Sequence, residues 1–307
     1  MKFLKNLLIT GIVLVIFAAA ALAIVYFVKN KEKKEITPQV RKSVTTGSFI
    51  TLSLGQTHYE LDGQDTGKVV VLLHGFSVPY YIWDGTFEYL VENGFKVLRY
   101  DMYGRGYSDR PDVLYNKKLY EDQLIELIEQ LHLKKPVNLV GVSFGGTLAT
   151  DFTVDNPGMV DKVVLIDPGY SRTKTRVPQF IPEFKEAITA DSRANSQIND
   201  FIYADLHPEW ISRYLPQMEY KGFRHALVST NYNYHYNGRE SSAALNATHK
   251  PVLLVWGKED QTVPFKYSDS IRSVLKTQFL PIEDAAHLPH LEKPEIVNPA
   301  IVTFVRK

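Results

Sequence analysis

Val137-Asn138-Leu139-Val140-Gly141-Val142-Ser143-Phe144-Gly145-Gly146 decides the fold. A β-branched apolar run stops at Gly-x-Ser-x-Gly. Thr147-Leu148-Ala149-Thr150-Asp151-Phe152 follows at once with helical character. Strand, tight turn and helix in that order make a nucleophile elbow. The glycines two before and two after Ser143 let helix and strand approach closely around a strained backbone. The turn lifts the Ser143 hydroxyl clear of the sheet, and the helix N-terminus turns N–H groups toward a developing negative charge.

Outward from this stretch, further apolar runs read as buried strands. Val69-Val70-Val71-Leu72-Leu73 is continuous, as suits a strand covered on both faces of a parallel sheet. It ends in His74-Gly75-Phe76. In a doubly wound sheet that turn lies at the carboxyl ends of the strands, where ligands bind. The N–H groups of Phe76 and Phe144 are the expected oxyanion hole. Lys96-Val97-Leu98-Arg99-Tyr100-Asp101 is a strand ending on an acid, followed by the loop Gly104-Arg105-Gly106-Tyr107-Ser108 near the site mouth. Lys162-Val163-Val164-Leu165-Ile166-Asp167 is another, and the βαβ alternation predicts a parallel sheet flanked by helices. Two strands over 49–54 and 57–61, joined at Gly55-Gln56, precede it. Trp83, Phe87, Leu90 and Val91 recur at helical spacing, and residues 120–131 form an amphipathic helix.

The strand pattern breaks after Gly169. Residues 170–248 contain no such run and are rich in aromatics, including Phe180, Phe184, Phe201, Trp210, Tyr214 and Phe223. They read as a mainly helical cap, with about a third of its aromatics facing an apolar pocket. Tyr232, Tyr234 and Tyr236 alternate with polar residues, as in an extended surface segment. The core resumes over 249–307. Pro251-Val252-Leu253-Leu254-Val255-Trp256 leads to Gly257 and Asp260, and a last strand over 277–282 leads to His287.

The order Ser143, Asp260, His287 completes a triad at strand ends. A serine hydroxyl is a weak nucleophile near neutral pH and needs a base. Histidine takes and returns that proton, and a buried carboxylate fixes its tautomer. Asp167, Glu259 and Asp284 are rivals to Asp260. His290, and more remotely His74, are rivals to His287; both suit structural roles better. No HExxH occurs and the other histidines are scattered, so neither metal nor cofactor is expected.

At the N-terminus, residues 7–28 are uncharged and almost wholly apolar, with Lys2 and Lys5 before them. As a helix the run is about 33 Å long, enough to cross a bilayer core. It exceeds the usual core of a cleaved signal, so residues 1–35 are read as an uncleaved anchor and the start of a charged, flexible tether. Lys29, Lys31, Lys33 and Lys34 follow the span, and the positive-inside rule then favours a cytoplasmic domain; secretion after cleavage is the alternative. The first core segment is residues 36–169.

The whole chain fits this organisation. It has 307 residues, 45% of them hydrophobic and 22% charged, enough for one large α/β domain with an insertion. The net charge of +1 gives no general attraction to nucleic acid, and the absence of cysteine excludes disulfides, thiolate nucleophiles and lipoprotein anchoring.

From about Phe49 to Val305 the chain resembles the α/β-hydrolase superfamily. The matching residues are His74-Gly75-Phe76, Asp101 with Gly104 to Ser108, Gly141 to Gly146, Gly257 with Asp260, and His287 with Glu292-Lys293-Pro294. Within it, the chain looks like the capped branch holding monoacylglycerol-lipase-like esterases, C–C bond hydrolases, epoxide hydrolases and haloalkane dehalogenases. The last two carry Asp where this chain has Ser143. C–C hydrolases often show Asn where it has Val142. An anchor ahead of the domain is similar to membrane-bound monoacylglycerol lipases. The resemblance implies a cofactor-free serine esterase acting on lipidic, acylglycerol-like esters at a membrane. A C–C hydrolase, thioesterase or amidase on the same triad is the alternative, and a non-catalytic protein of this fold a remoter one.

Overall fold

A computed structural model describes residues 2–307. Ten strands form in chain order: β1 (Ser48–Leu52), β2 (Gly55–Gly63), β3 (Val69–Leu73), β4 (Lys96–Tyr100), β5 (Val137–Val142), β6 (Val160–Ile166), β7 (Ser171–Arg172), β8 (Tyr236–Asn237), β9 (Val252–Gly257) and β10 (Gln278–Ile282). Eight of them make one sheet in the order β1-β2-β4-β3-β5-β6-β9-β10, and β7 pairs with β8 alone. Every contact from β4 to β10 is parallel, while the β1–β2 hairpin joins antiparallel at one edge.

The uninterrupted apolar strands occupy the middle of the sheet. Every residue of β3, β5 and β9 is buried, because helices cover both faces. One hydrophobic cluster holds Val71, Leu139, Phe144, Phe152 and Trp256. The other holds Leu72, Val140, Trp83, Phe87, Val297 and Ile301. Alternate residues of one strand thus supply the two cores.

Several local expectations change. The hairpin turns at Ser53-Leu54, not Gly55-Gln56, because Leu52 already pairs with Gly55. The helix expected around 83–91 is two pieces, a 3-10 turn at Tyr80–Trp83 and a helix at Thr86–Glu92. They are separated where Gly85 takes φ +80°. Tyr232 lies in helix Phe223–Asn233, and Tyr234 is fully buried with its hydroxyl donating to Asp151 Oδ2 at 2.9 Å. That stretch is not an extended surface segment; burial of a paired phenol outweighs the alternation.

Between β6 and β9 the chain is helical, with helices at Phe180–Ile188, Ala190–Ser196, Trp210–Tyr214, Phe223–Asn233 and Gly238–Ala247. The last of these packs on helix Phe144–Asp155 and puts Leu245 into the main core.

The N-terminal helix, Lys2–Lys29, buries none of its residues and has a mean hydropathy of 2.9 over its most apolar stretch. By length and composition it suits either a membrane span or a signal sequence. The stretch after it is not free. Lys33 N and Lys34 N donate to Glu219 O, and Lys221 N donates back to Lys34 O. Glu32 accepts from Arg224 N at the start of helix Phe223–Asn233. Arg224 reaches Asn30 Oδ1 and Tyr26 Oη at 2.9 Å each. The expected flexible tether is instead strapped to the 170–248 region, because its polar groups find backbone partners there.

Candidate functional site

Ser143 links β5 to helix Phe144–Asp155 at φ +54°, ψ −119°. A non-glycine residue in this conformation is strained and persists only where its surroundings enforce it. Here the enforcement is close approach. A Cβ on Gly141 would strike the carbonyl of Gly145, and one on Gly145 would strike those of Leu73 and His74. Helix and strands meet at backbone distance, and the reversal falls on Ser143.

His287 follows β10 in a loop. Its Nδ1 lies 2.7 Å from Asp260 Oδ2, and both residues are buried. Asp260 follows β9, and its other oxygen accepts from Thr262 N and Val263 N at 2.7 and 2.8 Å. The carboxylate is thereby held facing the ring. Burial alone would lower the His287 pKa. The charge and hydrogen bond of Asp260, with the charge of Asp200 added, outweigh burial and raise it above 6.5.

Ser143 and His287 line one cavity of about 340 Å³ together with Gly75, Phe76, Ser77 and Thr262. No hydrogen bond joins Ser143 to His287 among the described residues. Catalytic hydrogen bonds are often long until substrate binds. Neither the Phe76 N–H nor the Phe144 N–H has a protein acceptor among the described residues. The two rings meet edge to face with centroids 6.0 Å apart. The side of the cavity formed by residues 193–200 is polar: Arg193, Ser196, Gln197, Asn199 and Asp200. None of the cap aromatics singled out from sequence lines it. Phe201, Trp210, Tyr214 and Phe223 pack instead with Trp83 and Phe87 in the second core.

The rival residues have other partners. His74 is fully buried, its Nδ1 toward Gly75 O at 2.7 Å and its Nε2 accepting from Met102 N at 2.9 Å. Burial lowers its pKa to about 4. His290 bonds Ile82 O at 3.0 Å and packs on Trp83, and burial takes its pKa to about 3. Both are neutral structural groups. Asp284 is engaged at the surface by Lys293 and Tyr203, and Glu259 accepts from Ala285 N.

Asp167 is closer to the site than the rest. It is fully buried and its Oδ1 accepts from Gly257 N at 3.0 Å. Burial, and then the neighbouring Asp260, raise its pKa well above the usual carboxylate value. Ligand atoms of Asp167, Asp260 and His287 lie within 4.8 Å of one another. Among the described residues this is the one set spaced for a metal, and two of its three members are already bonded to each other.

Sequence reasoning missed two supporting residues. Arg105 is fully buried and donates from Nε to Phe76 O at 2.9 Å and from Nη1 to Tyr120 Oη at 2.6 Å, which fixes the turn carrying the Phe76 N–H. Glu292 accepts from Ala286 N at 2.6 Å and Ile202 N at 2.7 Å, joining the His287 loop to the cap. An arginine between two glycines, and an acid ahead of Lys293-Pro294, were visible; their partners were not.

A family model described as the alpha/beta hydrolase fold matches residues 68–294. The AB hydrolase superfamily protein YfhM of Bacillus subtilis is 25% identical over 81% of this chain and 94% of its own. The non-heme chloroperoxidase of Streptomyces lividans is 26% identical over 84% and 99%. Among solved structures, a thermophilic esterase from Thermogutta terrifontis superposes with a TM-score of 0.71 at 24% identity, covering 85% of this chain and 98% of that one. The chain belongs to the α/β-hydrolase family. Its relatives differ in chemistry, so the family sets the class of enzyme and leaves the substrate to the site.

Proposed function

We propose that this chain is a membrane-anchored serine hydrolase of carboxylic esters, acting on acylglycerol-like lipid esters through Ser143, His287 and Asp260. The observation that carries the reading is the single cavity walled by Ser143, His287, Gly75 and Phe76, with Asp260 on the far side of the histidine.

Ser143 Oγ attacks the ester carbonyl while His287 Nε2 accepts its proton. Asp260 accepts from Nδ1–H, holds the tautomer and stabilises the imidazolium. The N–H groups of Phe76 and Phe144 bind the oxyanion. Collapse expels the alcohol, which takes the proton from Nε2. Water, deprotonated by the same nitrogen, then attacks the acyl-enzyme and releases acid and free serine. No cofactor enters these steps.

Residues 170–248 act as the cap. Its polar face at the cavity suits the polar half of an acylglycerol better than the acyl chain. The reading of Lys2–Lys29 as an uncleaved anchor is supported by its length, its exposure and the strap that follows it.

The test is hydrolysis of p-nitrophenyl esters and of acylglycerols of varied chain length by wild type and Ser143→Ala, with fluorophosphonate labelling alongside. A loss of several orders of magnitude and loss of labelling are expected. Full activity in the variant overturns the mechanism. Cleavage of short esters alone removes the lipid assignment and keeps the triad.

A further inference from the structure

We infer that helix Phe180–Ile188 is a second membrane contact, its apolar end seated in the acyl edge of a phospholipid bilayer beside the anchor; this rests on the anchoring read above. Phe180 is 69% exposed, and Val177 and Ile181 are each nearly half exposed. Phe180 and Phe184 share one face of the helix at i and i+4, and Ile181 widens it to an apolar stripe about 100° across. A run of exposed apolar side chains ordinarily marks a binding surface.

The occupant follows from what adjoins that face. Phe184 stacks on Tyr26 of the N-terminal helix, with ring centroids 5.9 Å apart and planes 17° from parallel. Tyr26 stands two residues before the end of the apolar run, so about 3 Å of helix separates it from Val28. The exposed stripe therefore continues the lipid-facing surface of the span at the depth where a bilayer gives way to headgroups. Tyrosine is enriched at that depth. Lys174, Arg176 and Lys185, all exposed, flank the stripe, and Lys29 and Lys33 stand beyond the span. Such cations reach phosphates while their neighbours sit in acyl chains.

The contact is held rigid. Lys31 pairs with Asp191 at 2.7 Å, and Arg224 ties Tyr26 and Asn30 to helix Phe223–Asn233. Helix Phe180–Ile188 leads directly into Ala190–Ser196 and then the cavity wall at Gln197, Asn199 and Asp200. The polar wall over Ser143 is thus one short helix away from the bilayer surface.

Full-length protein in phosphatidylcholine vesicles tests this, using lipids brominated high or low on the acyl chain. The three native tryptophans are buried and give a constant background. Phe180→Trp is expected to add emission quenched most by bromine high on the chain. Phe17→Trp, inside the span, is expected to be quenched most by bromine near the chain end. Quenching at 17 without quenching at 180 overturns the inference and keeps the anchor. No quenching at 17 removes the anchor and the inference with it. In a second readout, Phe180→Ser/Ile181→Ser is expected to lower turnover of a vesicle-borne ester about tenfold while a soluble p-nitrophenyl ester is cleaved as before. Equal turnover of both substrates by variant and wild type argues against the contact.

Discussion

Two buried histidine–aspartate pairs sit in this molecule, and they do different things. His287 Nδ1 lies 2.7 Å from Asp260, and His58 Nδ1 lies 2.8 Å from Asp101. Both rings are almost wholly buried, and in both the carboxylate overcomes burial to raise the histidine pKa above 6.5. The difference is at the other nitrogen. His58 Nε2 is 2.9 Å from Thr46 O, and the ring stacks on Tyr80 and Phe49. With a carboxylate on one side and a carbonyl on the other, both nitrogens of the His58 ring are already engaged. His287 Nε2 has no protein partner among the described residues and belongs to a ring lining the Ser143 cavity. A histidine–aspartate pair is a base only where its outer nitrogen is left open to a substrate.

This contrast can be broken in graded ways. The largest effect is expected from His287→Ala, which should cost about 10⁶-fold in kcat, as loss of a triad base does. The paired change His58→Ala should leave ester turnover per folded molecule near wild type; comparable loss in both variants, measured on folded protein, would erase the distinction. Asp260→Asn should cost about 10⁴-fold in kcat by releasing the wrong tautomer, with little change in melting temperature.

His58→Ala should instead be read in denaturant unfolding. It leaves Asp101 buried with its main charged partner gone, which costs about 3–5 kcal/mol. Asp101 keeps its bonds from Tyr80 N and Tyr107 N, so the lower end is expected.

The pH dependences of the two pairs run in opposite senses. In the proposed mechanism His287 must be neutral to accept the Ser143 proton. Its pKa is raised, so kcat/KM should climb with pH through a midpoint above 6.5. His58 acts on stability with the other sign. Its folded pKa lies above the unfolded one, so its contribution is complete below about 6.5 and is lost as pH rises through the folded value. A kcat/KM limb centred below 6.5 would show that burial, not Asp260, governs the base.

The smallest effect is expected from Glu292→Gln. The amide keeps one carbonyl acceptor for Ala286 N and Ile202 N, so a cost of about 1–2 kcal/mol is expected in unfolding. A modest rise in KM should accompany it, because the His287 loop and the cap share that residue.

The elbow was legible because its requirement is local. Gly141, Ser143 and Gly145 occupy fixed offsets on one turn, and no distant contact is needed to see why only glycine fits there. The closeness of Asp260 to His287 was legible because each lies in the loop after a strand, and the topology of a parallel sheet brings such loops to one edge. Asp167 marks the limit. It also ends a strand, and nothing in its sequence neighbourhood says that it lies fully buried against Asp260. The cap aromatics mark it again. Composition suggested an apolar pocket, but Phe201, Trp210, Tyr214 and Phe223 pack into the second core, and Arg193, Gln197 and Asn199 line the cavity with Ser143.

What the sequence by itself determined is therefore the buried strands of the parallel sheet and the turn at Ser143 that joins strand to helix. Those depend on periodicity and on short offsets along one chain. Only the tertiary structure decided which of two histidine–aspartate pairs keeps its outer nitrogen without a protein partner among the described residues, that residues 193–200 bring polar side chains to the Ser143 cavity, and that the stretch after Lys29 is strapped down. Each of these is a choice among partners far apart in sequence. It depends on which buried polar group finds an acceptor once the sheet and its helices have closed, and no local pattern records that.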